Sequence, residues 1–437
     1  MTPRYTRPEM GHIWSRQHYF QCQLEVEIAV CEAWAEVGLI PRADIEKIRG
    51  ASFSIDRIDE IESTTDHETD AFVAATAETL GPESRWLHYG LTSSDVLDTG
   101  LSLQLVAAAD QLLERLRNLE SVASKRALEH KKTLTIARTH GIHAEPTTFG
   151  FKLLVWVDEI RRQIRRLEDA KEQIAYGKIS GSVGTHANVP PQVEEIACAN
   201  LGLNFANVSN QILQRDRHAQ FLTTLAIIGG SLEKFSTELR SLQRTEIGET
   251  EEHFGEGQHG SSSMPHKRNP FRLERICGLA RLLRANAHAA LENMALWHER
   301  DMSNSSLERV ILPDATIALD FMLWQFGRIL GGLRVNVARM RENLDFTHGL
   351  IYSQGILLAL IEAGMSRQEA YAAVHEHAMQ AFNDGTPLNE LLAADSQVTE
   401  LIDEDSLRGY FQPDRHLKWI DTAYSRLGLD SSNDQGG

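Results

Sequence analysis

The sequence predicts an all-α protein in which three helical domains include a central bundle of long helices. Two patterns carry this expectation. Long segments repeat apolar residues at helical spacing. Strand signals are nearly absent, with no convincing alternating run, no Asn-Gly hairpin and few β-branched clusters. Length adds a third constraint: 437 residues with 42% hydrophobic content exceed what one small core requires, which implies several domains or one elongated one.

The clearest stripe is FGFKLLVWVDEIRRQIRRLEDAKEQIA, residues 149–175, where Leu153, Val157, Ile160, Ile164 and Leu167 advance by four and three along one face. Similar stripes cover residues 95–130, 213–245, 274–298 and 307–331. Each is about 40 to 50 Å long if helical. Helices of this length bury themselves against one another, and often in a bundle larger than one subunit supplies, so oligomerisation is expected. Pro and Gly cluster at Gly141–Pro146, Gly177–Pro191, Gly255–Pro270 and Gly349–Gly355, windows that punctuate the helices rather than separate compact units. The expected division is a helical region at 1–91, the central bundle at 92–344 and a smaller helical domain at 345–437, ending in a frayed SSNDQGG tail.

Charge and cysteine usage exclude several functions. A formal net charge of −17, with basic residues not gathered in runs, repels a polyanion, so no nucleic-acid partner is expected. Cys22, Cys31, Cys198 and Cys277 lie far apart without CxxC or zinc spacing, which argues for reduced thiols and against a metal site. The N-terminus MTPRYTRPEM has no apolar leader segment, and no run approaches the roughly 18 apolar residues of a membrane span. The expectation is a cytoplasmic protein without membrane contact.

The stretch that carries chemistry is GSSSMPHKRNP, residues 260–270. Its composition suits a mobile lid: Gly-Gln-His-Gly at 257–260 for flexibility, hydroxyls to exchange protons, and Lys267 with Asn269 to hold an anion. Composition alone equally suits a polar loop capping the helix that starts near Phe271. The order of residues is more specific. It matches in full the G-S-S-x-M-P-x-K-x-N-P pattern of the fumarase/aspartase superfamily, whose members release fumarate by β-elimination. RWLHYGLTSSDVLDT (85–99) and ARTHGIHAEPTTFG (137–150) further resemble two signature regions of the adenylosuccinate lyase family, as do RYTRPEM (4–10), SNQILQRDRHA (209–219) and WHERDMSNSSLER (297–309). The resemblance runs from Arg4 to about Gln354; the C-terminal part is weakly diagnostic.

The resemblance implies cleavage of a succinylated amine, a reaction that needs one base and one acid. It puts the base at Ser261 and the acid at His140, with Glu274 as the carboxylate that orients the histidine. A serine is a poor base at its ordinary pKa, so its surroundings must strip its proton; Lys267 and loop main-chain N–H groups are candidate stabilisers. Ser262 and Ser263 remain alternatives to Ser261, and His143 and His88 to His140. Thr92, Ser93, Gln211, Lys267 and Asn269 would surround the succinyl carboxylates, although Thr92 to Asp95 also reads as a helix N-cap. Arg4, Tyr5, Ser305 and Arg309, with Arg300 nearby, would take a nucleotide phosphate.

TTDHETDAF (64–72) resembles the family's His-Asp-Val-x-Ala-Phe segment and places Asp66, His67 and Glu68 on the substrate, with His88 beside them. The sequence departs from the family at Glu68 and Thr69, and again at FRLER (271–275), where Glu274 is nevertheless kept. The implied substrates are adenylosuccinate and the succinylated aminoimidazole ribotide of purine synthesis (SAICAR), with no metal and no organic cofactor. The implied assembly is a homotetramer whose sites are shared between chains. The alternatives are a superfamily member acting on a substrate without phosphate, which would leave Arg4, Ser305 and Arg309 unused, and a structural protein that has lost catalysis.

Overall fold

A computed structural model describes residues 1–255, 257 and 260–429. Gln258 and His259 of the glycine-flanked run, and the SSNDQGG tail, lie outside the described residues. The all-α class holds. Five long helices, Ser93–Glu129, Phe149–Ile174, Asp216–Leu242, Phe271–Glu292 and Ser303–Gly331, account for the five stripes. Leu153, Val157, Ile160 and Leu167 are buried and Ile164 is half-buried, while Val155 on another face is exposed. The stripe at 274–298 is helical only to Glu292. Beyond it Asp301 accepts from the main-chain N–H groups of Trp297 (2.7 Å) and Ser303 (2.8 Å), turning the chain into the next helix. That helix, Ser303–Gly331, is apolar and long enough to cross a membrane, but 72% of its apolar window is buried within the protein, as in a core helix.

The chain packs as two compact units, Met1–Arg117 with Arg162–Glu233 and Arg275–Gln325, and Asn118–Arg161 with Lys234–Glu274 and Phe326–Gly437. Every crossing from one to the other falls inside one of the five long helices. This partition differs from the division at 91 and 344 expected from sequence, because loop punctuation marks where the chain turns and packing groups segments distant along it.

In the first unit, the helix Arg16–Glu36 contributes Val26, Val30 and Trp34 to a core closed by Val96, Ile179 and Val193. Its Phe20 stacks on Phe72 at 5.6 Å in a second cluster with Ile58. Two ionic groups are buried among these helices. Lys178 and Asp95 are fully buried and meet at 2.5 Å. The Arg215 guanidinium is clamped between Asp98 (2.7 and 2.8 Å) and Glu308 (2.8 and 3.1 Å).

In the second unit, Trp156 stacks on Phe235 at 4.7 Å beside Phe326. The helices Ser353–Glu362, Arg367–Asp384 and Leu388–Ala394 enclose Ile356, Leu360, Val374 and Leu388. Ser366 and Glu369 form a reciprocal capping box at the start of Arg367–Asp384.

One expectation is corrected here. Residues Leu134–Thr139 and Ile142–Thr148 form an antiparallel hairpin, paired from Leu134 with Thr148 to Thr139 with Ile142, with a bulge between Ile136 and Arg138. Its two-residue loop is His140-Gly141, with φ of 55° and 79°. Two successive positive φ values are what a type I′ hairpin turn requires, a position usually taken by Asn-Gly. A histidine in the asparagine position, and the bulge that breaks the alternation, hid the hairpin in the sequence.

Lys178→Met leaves the Asp95 carboxylate buried without its cation. The expected cost is about 3–5 kcal/mol, read as a lower urea midpoint at unchanged m-value; an unmoved midpoint refutes the role given to the pair.

Candidate active site

The helix Ser93–Glu129 opens at Thr92, whose main-chain N–H donates to Asp95 Oδ2 at 2.8 Å. Asp95 is thus the N3 acid of a cap and the partner of a buried lysine at once. Its Oδ1 accepts from Lys178 and from the N–H groups of Ser180 (3.1 Å) and Gly181 (3.3 Å). Lys178 donates further to the carbonyls of Gly181 (3.1 Å) and Gln211 (3.0 Å). Arg300 adds a second tie, donating to Ser94 Oγ and Gln211 Oε1, both at 3.2 Å. Thr92, Ser93, Gln211 and Arg300 are therefore gathered around one helix N-terminus, an arrangement suited to an anion.

Beside it lies a cavity of about 360 Å³ with Ser94, Arg300, Ser305, Arg309, Arg16 and Glu68 among its polar walls and Trp14, Leu97 and Leu101 among its apolar ones. Ser305 and Arg309 of the expected phosphate set line this cavity. Arg4 and Tyr5 lie off its wall in the short turn Pro3–Tyr5, Tyr5 edge-on to Phe321 at 5.2 Å. Glu68 pairs with Arg309 at 2.6 and 3.2 Å and accepts the Tyr19 hydroxyl at 2.8 Å. Burial works to raise the Glu68 carboxyl, but Arg309 and Tyr19 outweigh it and hold it below the ordinary range.

Three residues named from sequence have left-handed backbones: Asp66 (φ 51°), His88 (58°) and His140 (55°). Such residues are uncommon outside glycine and persist where their surroundings fix them. Asp66 ends the helix Ile55–Thr65. His67 then caps Glu68–Ala77, its Nδ1 accepting from the Asp70 N–H at 3.1 Å. His88 is held by the buried Glu27, which accepts from its main-chain N–H and meets Nδ1, both at 2.7 Å.

In the second unit His140 stands exposed at the hairpin tip. The hairpin is anchored by Arg138, which donates to buried Glu249 at 2.5 and 3.1 Å, and Glu249 also accepts from Asn343 at 2.8 Å. His143 lies one register pair below the tip, opposite Arg138. Partial burial, then the nearby Arg138 charge, lowers its pKa.

The serine loop has fixed ends. Gln243 accepts from the Glu252 N–H (3.0 Å) and donates to the Arg268 carbonyl (2.9 Å). Glu252 accepts from the Leu273 N–H (2.9 Å), and Arg272 donates to the His253 carbonyl (2.9 Å). Burial, with Glu274 adding its charge, pushes the Glu252 carboxyl up. The loop doubles back so tightly that a Cβ on Gly260 would stand 2.4 Å from the Lys267 carbonyl oxygen, so only glycine fits.

Within the loop, Ser261 Oγ accepts from the N–H groups of Met264 (3.2 Å) and Ser263 (3.4 Å). The Lys267 side chain is exposed and has no partner among the described residues, and Asn269 is half-buried. Glu274 is exposed in the first turn of Phe271–Glu292, and among the described residues no hydrogen bond joins it to His140 within the chain.

Sequence reasoning missed Glu27, Tyr19, Lys178 and the triad of Asp98, Arg215 and Glu308. The available signals were the charged residues inside otherwise apolar or glycine-rich stretches: Glu27 in QLEVEIAV, Lys178 in AYGKISG and Asp98 in the quoted 85–99 segment.

The chain is similar to known proteins over nearly its whole length. A family described as "Lyase" matches residues 3–283, and one described as "Adenylosuccinate lyase C-terminus" matches residues 349–427, the stretch that was weakly diagnostic in sequence. The adenylosuccinate lyase of Bacillus subtilis (strain 168) is 51% identical over 430 residues, covering 98% of this chain and all of that one. A fumarate lyase from Mesorhizobium sp. BNC1 superposes with a TM-score of 0.89 at 27% identity, over 98% of this chain and 99% of that one. A 3-carboxy-cis,cis-muconate lactonizing enzyme from Pseudomonas putida does so with 0.87 at 29%, over 97% and 96%.

The His88–Glu27 pair gives a pH signature. Burial lowers the His88 pKa, yet Glu27 more than offsets this and leaves it raised above its ordinary value. A raised folded pKa means the pair stabilises fully below the unfolded pKa of about 6.5 and loses that contribution as pH rises through the folded value. The stability difference between wild type and His88→Gln is thus expected to be larger at about pH 6 than at about pH 9. Equal differences in chemical denaturation at the two pH values count against this linkage.

Proposed function

The chain belongs to the adenylosuccinate lyases within the fumarase/aspartase superfamily, and on that premise we propose that it eliminates fumarate from adenylosuccinate to give AMP, and from SAICAR to give the free carboxamide ribotide. In each case the bond between the amine nitrogen and the succinyl carbon breaks, a proton leaves the adjacent carbon, and the departing nitrogen gains one. Charge accumulates meanwhile on the carboxylate beside the carbanion, so fixed donors aimed there lower the barrier most.

The observation that carries the assignment of roles is the environment of Ser261. Among the described residues it is the one serine of the loop whose Oγ accepts main-chain N–H groups. Donors that favour the anionic oxygen lower the cost of deprotonating it, which supports Ser261 as the base over Ser262 and Ser263. Lys267, in the same loop and without a side-chain partner among the described residues, supplies positive charge. His140 is the acid, on a turn whose backbone is fixed while its ring is free to meet substrate. Thr92, Ser93, Gln211, Lys267 and Asn269 take the succinyl carboxylates. Arg300, Ser305 and Arg309, with Arg4 and Tyr5, take the phosphate; three of these on one cavity wall favour a nucleotide over a muconate, which has no phosphate.

Sites completed between chains of a homotetramer agree with two features. His140 and Glu274 are both exposed, and Val155, Ile227, Leu291 and Val310 on the long helices are half-exposed apolar residues awaiting cover. Cytoplasmic residence agrees with four buried cysteines, none of them in a disulfide among the described residues.

The test is the ultraviolet change as purified protein acts on adenylosuccinate. Wild type is expected to turn over, and Ser261→Ala and His140→Ala each to lose about 10²- to 10⁴-fold in kcat. Folded but inert wild type overturns the nucleotide reading; an active Ser261→Ala moves the base to another loop serine.

A further inference from the structure

Glu68 is, with Thr69, one of two adjacent residues at which this sequence departs from the segment it otherwise resembles, and the structure gives it an occupation. Its two oxygens take the end-on edge of the Arg309 guanidinium, Oε2 at 2.6 Å from Nη2 and Oε1 at 3.2 Å from Nη1, and Tyr19 donates its hydroxyl to Oε2 at 2.8 Å. A two-pronged grip on paired oxygens is what a guanidinium gives a phosphate. The Glu68 carboxylate therefore holds Arg309 as an anionic ligand would, inside the cavity that Ser305 and Arg300 share.

We propose that Glu68 is an internal competitor of the substrate's phosphate, a specificity-determining residue that neutralises Arg309 and must yield that edge when a nucleotide arrives. The inference rests on the nucleotide reading above and adds to it the group that sets how tightly the phosphate end is held.

Three physical points support it. A carboxylate and a phosphate dianion cannot both keep a two-pronged hold on one guanidinium edge, and they repel when they share it. The displaced carboxylate, about four-fifths buried with a side-chain exposure of 22%, needs another cation, because a buried unpaired charge is costly. Arg16 lines the same cavity, and its charge already acts on Glu68. Finally, phosphate is common to substrate and product. Binding it tightly in both states adds nothing to the chemical step and delays product departure, so a built-in competitor trims binding of the kind that does not raise kcat.

The experiment is calorimetric binding of AMP and of adenosine to the full chain, as wild type, Glu68→Gln and Glu68→Asp. Glutamine is isosteric and keeps an oxygen for Arg309 and Tyr19 without the charge; aspartate keeps the charge but withdraws it by one methylene. The expected result is an AMP Kd about three- to tenfold lower in Glu68→Gln, a smaller decrease in Glu68→Asp, and an adenosine Kd unchanged in both. An AMP Kd that stays the same or rises in Glu68→Gln, or adenosine tightening in parallel with AMP, overturns the competitor. If Glu68→Gln fails to fold by circular dichroism, Glu68→Asp decides alone: unchanged AMP affinity overturns the proposal. Wild type that cleaves adenylosuccinate while Glu68 proves irrelevant loses only this inference. Wild type that binds no AMP and cleaves no adenylosuccinate loses both.

Discussion

Lys178 and Asp95 are charges without access to water, and the arrangement of the first unit's site depends on how they are satisfied. An ion pair in that position repays its desolvation only with good geometry and complete hydrogen bonding. Here the ammonium meets one carboxylate and two carbonyls, and the carboxylate collects three main-chain N–H groups from two distant segments. Meeting those demands brings residues 92–95, 178–181 and 211 to one point. Arg300 joins them through Ser94 and Gln211. The N-terminus of the helix Ser93–Glu129 is therefore held in place by the requirement that no buried charge be left unpaired.

The second unit repeats this logic with a different division between anchored and exposed parts. Glu249, buried, takes Arg138 from the hairpin and Asn343 from the helix Val337–Asp345, so the turn bearing His140 has a fixed base. The serine loop is stitched at both ends by Gln243, Glu252 and Arg272, while Ser262 to Arg268 are exposed. Fixed ends with an exposed middle let reactive groups reach a ligand while their anchor points stay in place.

Backbone strain accompanies these anchors. Asp66, His88 and His140 occupy the left-handed region, a conformation that L-residues adopt at a cost of order 1–3 kcal/mol each. Where the cause is visible it is local and specific. Glu27 grips His88 by main chain and ring together, and the two-residue turn sets His140. Residues chosen from sequence for their chemistry thus coincide with positions where surrounding structure overrides local preference.

The sequence by itself determined the helices and the chemistry-bearing segments. A stripe such as Leu153, Val157, Ile160 is a local periodicity with one stable solution, and an eleven-residue loop such as GSSSMPHKRNP is specific enough to carry a family with it. Partners distant along the chain were not legible. Lys178 lies 83 residues from Asp95, and Glu27 61 residues from His88; nothing local announces such a pair, because a buried charge is stabilised by whichever segment packing brings to it. The His140 hairpin was hidden for a related reason: its turn is defined by two positive φ values rather than by the residues usually seen there. The identity of Glu68 was readable as a departure, but only the tertiary structure decided what it meets, since Arg309 lies 241 residues away and reaches it through helix packing alone.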